Sequence, residues 1–106
     1  MGSTTTAPDI KQENQDQLTH LYNVVLLDDD DHTYEYVVEM LVKLFAYSDS
    51  DAWNRAVEVD TNGRTVVVTC ELTVAEYGRD QIHSYGADWR MPWCKGSMSA
   101  VVEPSA

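Results

Sequence analysis

"YNVVLLDDDDHTYEYVVEML", residues 22–41, decides how this chain folds. A short β-branched run, YNVVLL over 22–27, favours a strand. It stops at four consecutive aspartates. Beyond them Tyr34, Val37, Val38, Leu41, Leu44 and Phe45 recur at helical spacing, which predicts an amphipathic helix of about three turns. Asp31, His32 and Thr33 offer polar caps to its first turn. Asp28, Asp29, Asp30 and Asp31 therefore lie where a strand ends and a helix begins. Adjacent acids repel one another unless a cation relieves them. Helix amides satisfy one or two carboxylates; the others need a positive partner. The stretch predicts a cation site beside apolar surface, suited to a peptide's free α-ammonium and an apolar first side chain.

The rest of the chain extends this pattern. In "SDSDAWNRAVEVDTNG", 48–63, Ser48 is placed to cap a second helix, with Asp49 and Asp51 in a first turn whose dipole favours acids. Ala52, Ala56 and Val59 share one face, Trp53 beside them, and Asn62-Gly63 closes the helix. RTVVVTCEL, 64–72, reads as a strand. TVAE, 73–76, reads as a capping box opening a third helix through Tyr77, Ile82 and Tyr85, fraying near Gly86. MPWCKG, 91–96, is a loop, and SMSAVV, 97–102, a last strand. The order strand-helix-helix-strand-helix-strand predicts an α+β sandwich, three strands covered by three helices.

The length of 106 residues suits one domain, and 43% hydrophobic residues allow a modest core. Residues 1 to about 20 are too polar to bury useful area, so a flexible tail is expected there, with the domain over 21–106. Seven basic against 18 acidic residues give a formal charge of −11. That disfavours nucleic acid and anionic membranes and favours cationic or amine-bearing partners. No apolar run approaches a membrane span, and the N-terminus lacks the charged-then-apolar order of a secretion signal. Cys70 and Cys94 read as free thiols of a reducing compartment, so a cytoplasmic location is expected.

Enzyme signatures fail. There is no phosphate-cradling glycine loop, no His-Glu-x-x-His and no nucleophile elbow. His20, His32 and His83 are scattered and read as surface or capping residues. A calcium loop fits only in part: Asp28, Asp30, His32 and Glu39 take positions 1, 3, 5 and 12, but Thr33 holds position 6, where the turn needs glycine. Neither a metal nor another cofactor is expected, although weak divalent binding by the four acids stays open as an alternative.

The same residues resemble the ClpS family, adaptors of the ATP-dependent Clp protease. Its members typically read YKVVLLNDD, then YTPMEFVVEVLQKFF; here the run is YNVVLLDDDDHTYEYVVEMLVKLF. The likeness continues through A-x-x-x-A-V-x-V-x-x-x-G over 52–63 and TVAE, with MPW where the family usually has His-Pro-Leu. The resemblance implies a three-stranded antiparallel sheet with three helices, and a binding module rather than an enzyme. Such a module reads the N-terminal residue of N-degron substrates and delivers them to the N-domain of a ClpA- or ClpC-type chaperone. A monomer is expected.

Carried over by position, the family's Asn-Asp pair that holds the α-amine becomes Asp28 and Asp29, and its amine-contacting His becomes Asp60. Three acids in place of mixed ligands imply raised carboxylate pKa values and affinity that falls at low pH and high salt. The side-chain pocket maps to Asp30, His32, Tyr34, Val37, Ala56, Val59 and Trp93. Tyr34 and Trp93 add bulk where the family has Met and Leu, which implies a narrower slot favouring Leu, Ile or Val. One buried aliphatic side chain supplies only ~1.5–3 kcal/mol. The amine contacts must then supply much of a micromolar affinity, about −8 kcal/mol. On the docking face Glu76 is kept, whereas Thr73 and Gly78 depart from the usual Glu and Lys. The alternatives are an acidic divalent-metal-binding protein and a chaperone-docking relative that does not read N-termini.

Overall fold

The computed structural model describes residues 20–105. Nearly all of the stretch read as a flexible tail lies outside them. Strand β1 (Leu21–Leu27) is central, with β2 (Arg64–Glu71) and β3 (Ala100–Pro104) antiparallel on either side. Helices α1 (Tyr34–Phe45), α2 (Asp49–Asn62) and α3 (Leu72–His83) complete the α+β fold. Val24, Val25 and Leu26 are fully buried, as befits a central strand. Pairing with β2 shifts between Val24 and Val25, a bulge that breaks strict alternation there. Val24 and Leu26 join Met40, Leu41, Ala56 and Ile82 in one core.

Local signals set the first two helices. Thr33 is the N-cap of α1, its hydroxyl accepting the Tyr36 N–H at 3.1 Å. Ser48 caps α2 by accepting the Asp51 N–H at 3.2 Å, and Gly63 ends it at φ 85° with its N–H on the Val59 carbonyl. Helix α1 ends less comfortably. Its C-cap, Ala46, is left-handed at φ 57°, the only positive-φ non-glycine among the described residues. An L-residue there costs about 1–2 kcal/mol, partly offset by the chain entropy a glycine would lose. Ala46→Gly should therefore stabilise the fold by roughly 0.5–1 kcal/mol, read as a later urea midpoint with an unchanged slope.

Two expectations are corrected. TVAE is not a capping box: α3 begins at Leu72, and its N-cap, Glu71, makes no side-chain cap bond. Pairing of β2 with β1 runs to Glu71, opposite Leu21, so the strand passes straight into the helix and Thr73 is already inside it. The last strand starts at Ala100, not at residue 97. Ser97 instead accepts the Gly86 N–H at 2.7 Å and Met98 is buried in the core, so pairing begins with Ala100 opposite Leu26.

Candidate functional site

The aspartate turn is held from two sides. The Leu27 N–H donates to the Ser99 carbonyl at 2.9 Å, and the Asp28 N–H to the Gly63 carbonyl at 3.0 Å. The second bond sets Asp28 against the end of α2, which carries Asp60. Asp28 is exposed, yet its carboxyl is held above its ordinary value. Partial burial is the largest cause and the Asp29 amide works against it; Asp60, Asp29 and Asp30 add repulsion in that order. A rise was expected from repulsion; desolvation leads instead.

A carboxylate whose folded pKa is raised costs stability when ionised, and the cost disappears once pH falls below the unfolded value. Asp28→Asn should thus stabilise the protein at pH 7, with the gain shrinking as pH falls through the raised pKa. Urea unfolding at pH 7 and pH 4 measures it.

Asp29 faces the other way. Its Oδ1 accepts the Asp31 N–H at 3.0 Å and meets His32 Nδ1 at 2.7 Å. The His32 side chain is only 3% exposed and packs 4.4 Å from the Tyr36 ring, with Nε2 at 2.7 Å from the Gly96 carbonyl. His32, read from sequence as a pocket wall or a capping residue, is a buried bridge between the aspartate turn and the loop before β3. Asp28 and Asp60 are neighbours, and Asp29 is committed on one oxygen, Oδ1. Among the described residues no three His, Cys, Asp or Glu side chains form a group able to hold a metal ion.

Tyr34 ties the two halves of the predicted site together. Its hydroxyl donates to Asp60 Oδ2, and its ring sits edge-on to Trp53 at 5.1 Å. The Asp60 bond is the main reason its phenol is raised. Val37, Ala56 and Val59 are 3%, 0% and 2% exposed, part of the core against which Tyr34 packs. In this structure they are core walls, not an open slot. Asp30 is exposed, and Trp93 is 60% exposed on the loop. A surface cavity of about 390 Å³ between α2 and β2, lined by Arg55, Glu58 and Arg64, contains none of the predicted residues.

Glu76 is exposed on α3, among exposed Val74 and Tyr77. Gly78 is not on that surface. A Cβ there would lie 3.2 Å from Phe45 Cε1, so a side chain of any length would have to displace Phe45.

The residue that sequence reading missed is Asp88. It is 1% exposed, and its Oδ2 accepts both the Thr33 N–H and the Thr33 hydroxyl at 2.8 Å. Its Oδ1 accepts the Arg90 N–H and Nη1, both at 3.1 Å, while Arg90 Nη2 donates to Glu39 at 2.6 Å. Burial pushes the Asp88 carboxyl up, but the bonds from Thr33 and Arg90 outweigh it and hold the carboxyl low.

Compared with known proteins, the chain falls among the adaptors of an ATP-dependent protease. The family model for "ATP-dependent Clp protease adaptor protein ClpS" matches residues 17–92, and the chain belongs to the ClpS family. It is 34% identical over 68 residues to the ClpS adapter of a Synechococcus species, covering 63% of this chain and 75% of that one. To the Acetivibrio thermocellus ClpS adapter it is 30% identical over 84 residues, 79% of this chain and 80% of that one. The structure of Agrobacterium tumefaciens ClpS2 bound to L-phenylalaninamide is similar with a TM-score of 0.70 at 28% identity, covering 82% of this chain and 99% of that chain. ClpS is an adaptor family rather than a protease family, and no described helix is long and apolar enough to cross a membrane.

Proposed function

We propose that this chain is a cytoplasmic, monomeric adaptor that receives the free α-amine and hydrophobic first residue of N-degron proteins and hands them to a ClpA- or ClpC-type chaperone. The observation that carries the reading is the juxtaposition of Asp28 with Asp60 at the joint of β1 and α2. An ammonium arriving there relieves the repulsion that Asp60 and the neighbouring acids impose on Asp28. Asp29 Oδ1 is engaged by Asp31 and His32, which leaves Oδ2 for the same ammonium. The first side chain enters against Val37, Ala56 and Val59 once Tyr34 swings off Asp60. Asp30 and Trp93 flank that slot, and its bulky lid favours Leu, Ile and Val. The likeness to a ClpS2 that binds L-phenylalaninamide, a compound with a free α-amine, supports the amine reading. Glu76, with Val74 and Tyr77 beside it, is the docking edge.

The test is fluorescence anisotropy on labelled peptides that differ only at residue one, each free and N-acetylated. Free Leu, Ile or Val peptides should bind in the micromolar range, and acetylation should weaken them at least tenfold, the value of one lost charge-assisted hydrogen bond. Equal binding of free and acetylated peptides would refute the amine site. A preference for Phe, Tyr and Trp would keep the amine site and refute the narrowed slot.

A further inference from the structure

The loop before β3 brings a second chemistry to the aspartate turn. Cys94 Sγ lies 3.3 Å from His32 Nε2, and His32 Nδ1 lies 2.7 Å from Asp29 Oδ1. A nucleophile, an imidazole N–H and an orienting carboxylate stand in hydrogen-bond sequence, drawn from two segments far apart in the chain. Sulfur has a further donor: the Asp88 N–H points at it from 3.2 Å. Both His32 nitrogens face acceptors, Asp29 on one side and the Gly96 carbonyl with Cys94 on the other. In the thiol form Cys94 donates to the Gly96 carbonyl at 3.2 Å. In the thiolate form the Asp88 N–H and the shared His32 Nε2–H remain aimed at the sulfur, and it is the thiolate that attacks. The residue as a whole is half-buried.

Cys70 provides the internal contrast. It sits in β2 opposite Tyr22, and burial followed by the neighbouring Glu71 pushes its thiol up.

We propose that Cys94 is a thiol–disulfide exchange site for small cationic disulfides, activated by His32 and oriented by Asp29. The Cys94 thiolate attacks one sulfur of the disulfide. A new S–S bond forms to Cys94, the old S–S bond breaks, and the departing thiolate takes up the proton that Cys94 gave up. The small disulfide is the oxidant and is itself reduced by one thiol equivalent. A chain of formal charge −11, with Asp28, Asp29, Asp30 and Asp31 on the turn that carries His32, attracts a cationic disulfide and repels an anionic one, against the opposite pull of the single adjacent Lys95.

The experiment follows mixed-disulfide formation by intact mass with excess cystamine on the full-length chain. Cys70→Ser leaves Cys94 as the single thiol, and Cys94→Ser leaves Cys70. Folded Cys94 should react about tenfold faster than Cys70, and faster than the same Cys94 chain in urea. His32→Asn should remove most of that advantage. Cystamine should outpace oxidised glutathione, with the gap closing at high salt. If folded Cys94 reacts no faster than the urea-unfolded chain, or if a folded His32→Asn protein keeps the full rate, the proposal fails. Should His32→Asn not fold, the comparison of folded with unfolded Cys94 decides.

Discussion

Asp88→Ala should cost this fold about 3 kcal/mol, a large share of the 5–15 kcal/mol that holds a typical domain together. The carboxylate is buried and satisfies donors from two segments at once. Removing it leaves the Thr33 N–H and hydroxyl without their acceptor at the start of α1. It also takes one partner from Arg90, whose remaining bond is to Glu39. An orphaned buried donor costs roughly 1–3 kcal/mol, and breaking a buried ion pair roughly 3–5 kcal/mol. Arg90 is partly exposed, which brings the expected total towards the lower end. Asp88→Asn should cost less, because an amide oxygen still accepts from Thr33. Urea unfolding followed by circular dichroism measures both, and a loss below about 1 kcal/mol for alanine would overturn this account. The pH dependence has a definite sign. The Asp88 carboxyl is held below its ordinary value of 3.8, so its contribution is complete above that value and is lost as pH falls through the lower, folded one. Acid unfolding should therefore be shallower in Asp88→Asn than in the parent.

Asp29→Asn should weaken binding of free Leu-initiated peptides by about 10–100-fold while leaving the fold intact, the loss expected when one hydrogen bond to a charged group becomes a repulsion. The separation of effects comes from the geometry of one carboxyl group. Oδ1 serves the structure, accepting from Asp31 and meeting His32, and an asparagine oxygen does the same. Oδ2 is the atom proposed to meet the ammonium, and asparagine replaces it with an NH₂ that points donors at a cation. N-acetylated peptides, which bring no ammonium, should bind parent and variant alike. An equal loss for both peptide forms would place Asp29 in the scaffold alone. An unchanged free-peptide affinity would move the amine to Asp28 and Asp60.

The sequence discloses those parts of this structure whose cause is local. Thr33 and Ser48 each cap an amide three residues on, and Gly63 closes the helix it follows, so each is readable in a short window. TVAE misled for the complementary reason. It has the spacing of a capping box, but the ladder that carries Glu71 opposite Leu21 lies in another segment and fixes where α3 starts. Asp88 stands in a stretch without periodicity, 55 residues from the Thr33 it supports, and nothing nearby marks it. The bridge from His32 to Gly96 spans 64 residues and was equally hidden. The acids themselves were visible, as were Val37, Ala56 and Val59. That Tyr34 rests on Asp60, and that the apolar walls are closed, required the packing of α1 on α2.

The aspartate turn takes its shape from partners that come much later in the chain: Gly63 for Asp28, Asp88 for Thr33, Gly96 for His32 and Ser99 for Leu27. Such distant pairings form late, because loop closure must precede any gain from them. A nascent chain that has emerged only as far as α2 therefore carries its four aspartates as a solvated acidic segment without the geometry of the folded turn. The turn acquires that geometry only when Gly63, Asp88, Gly96 and Ser99 have come into place around it. The shape of this acidic surface thus depends on residues as far along as Ser99, and a chain stopped short of them presents the same acids without that arrangement.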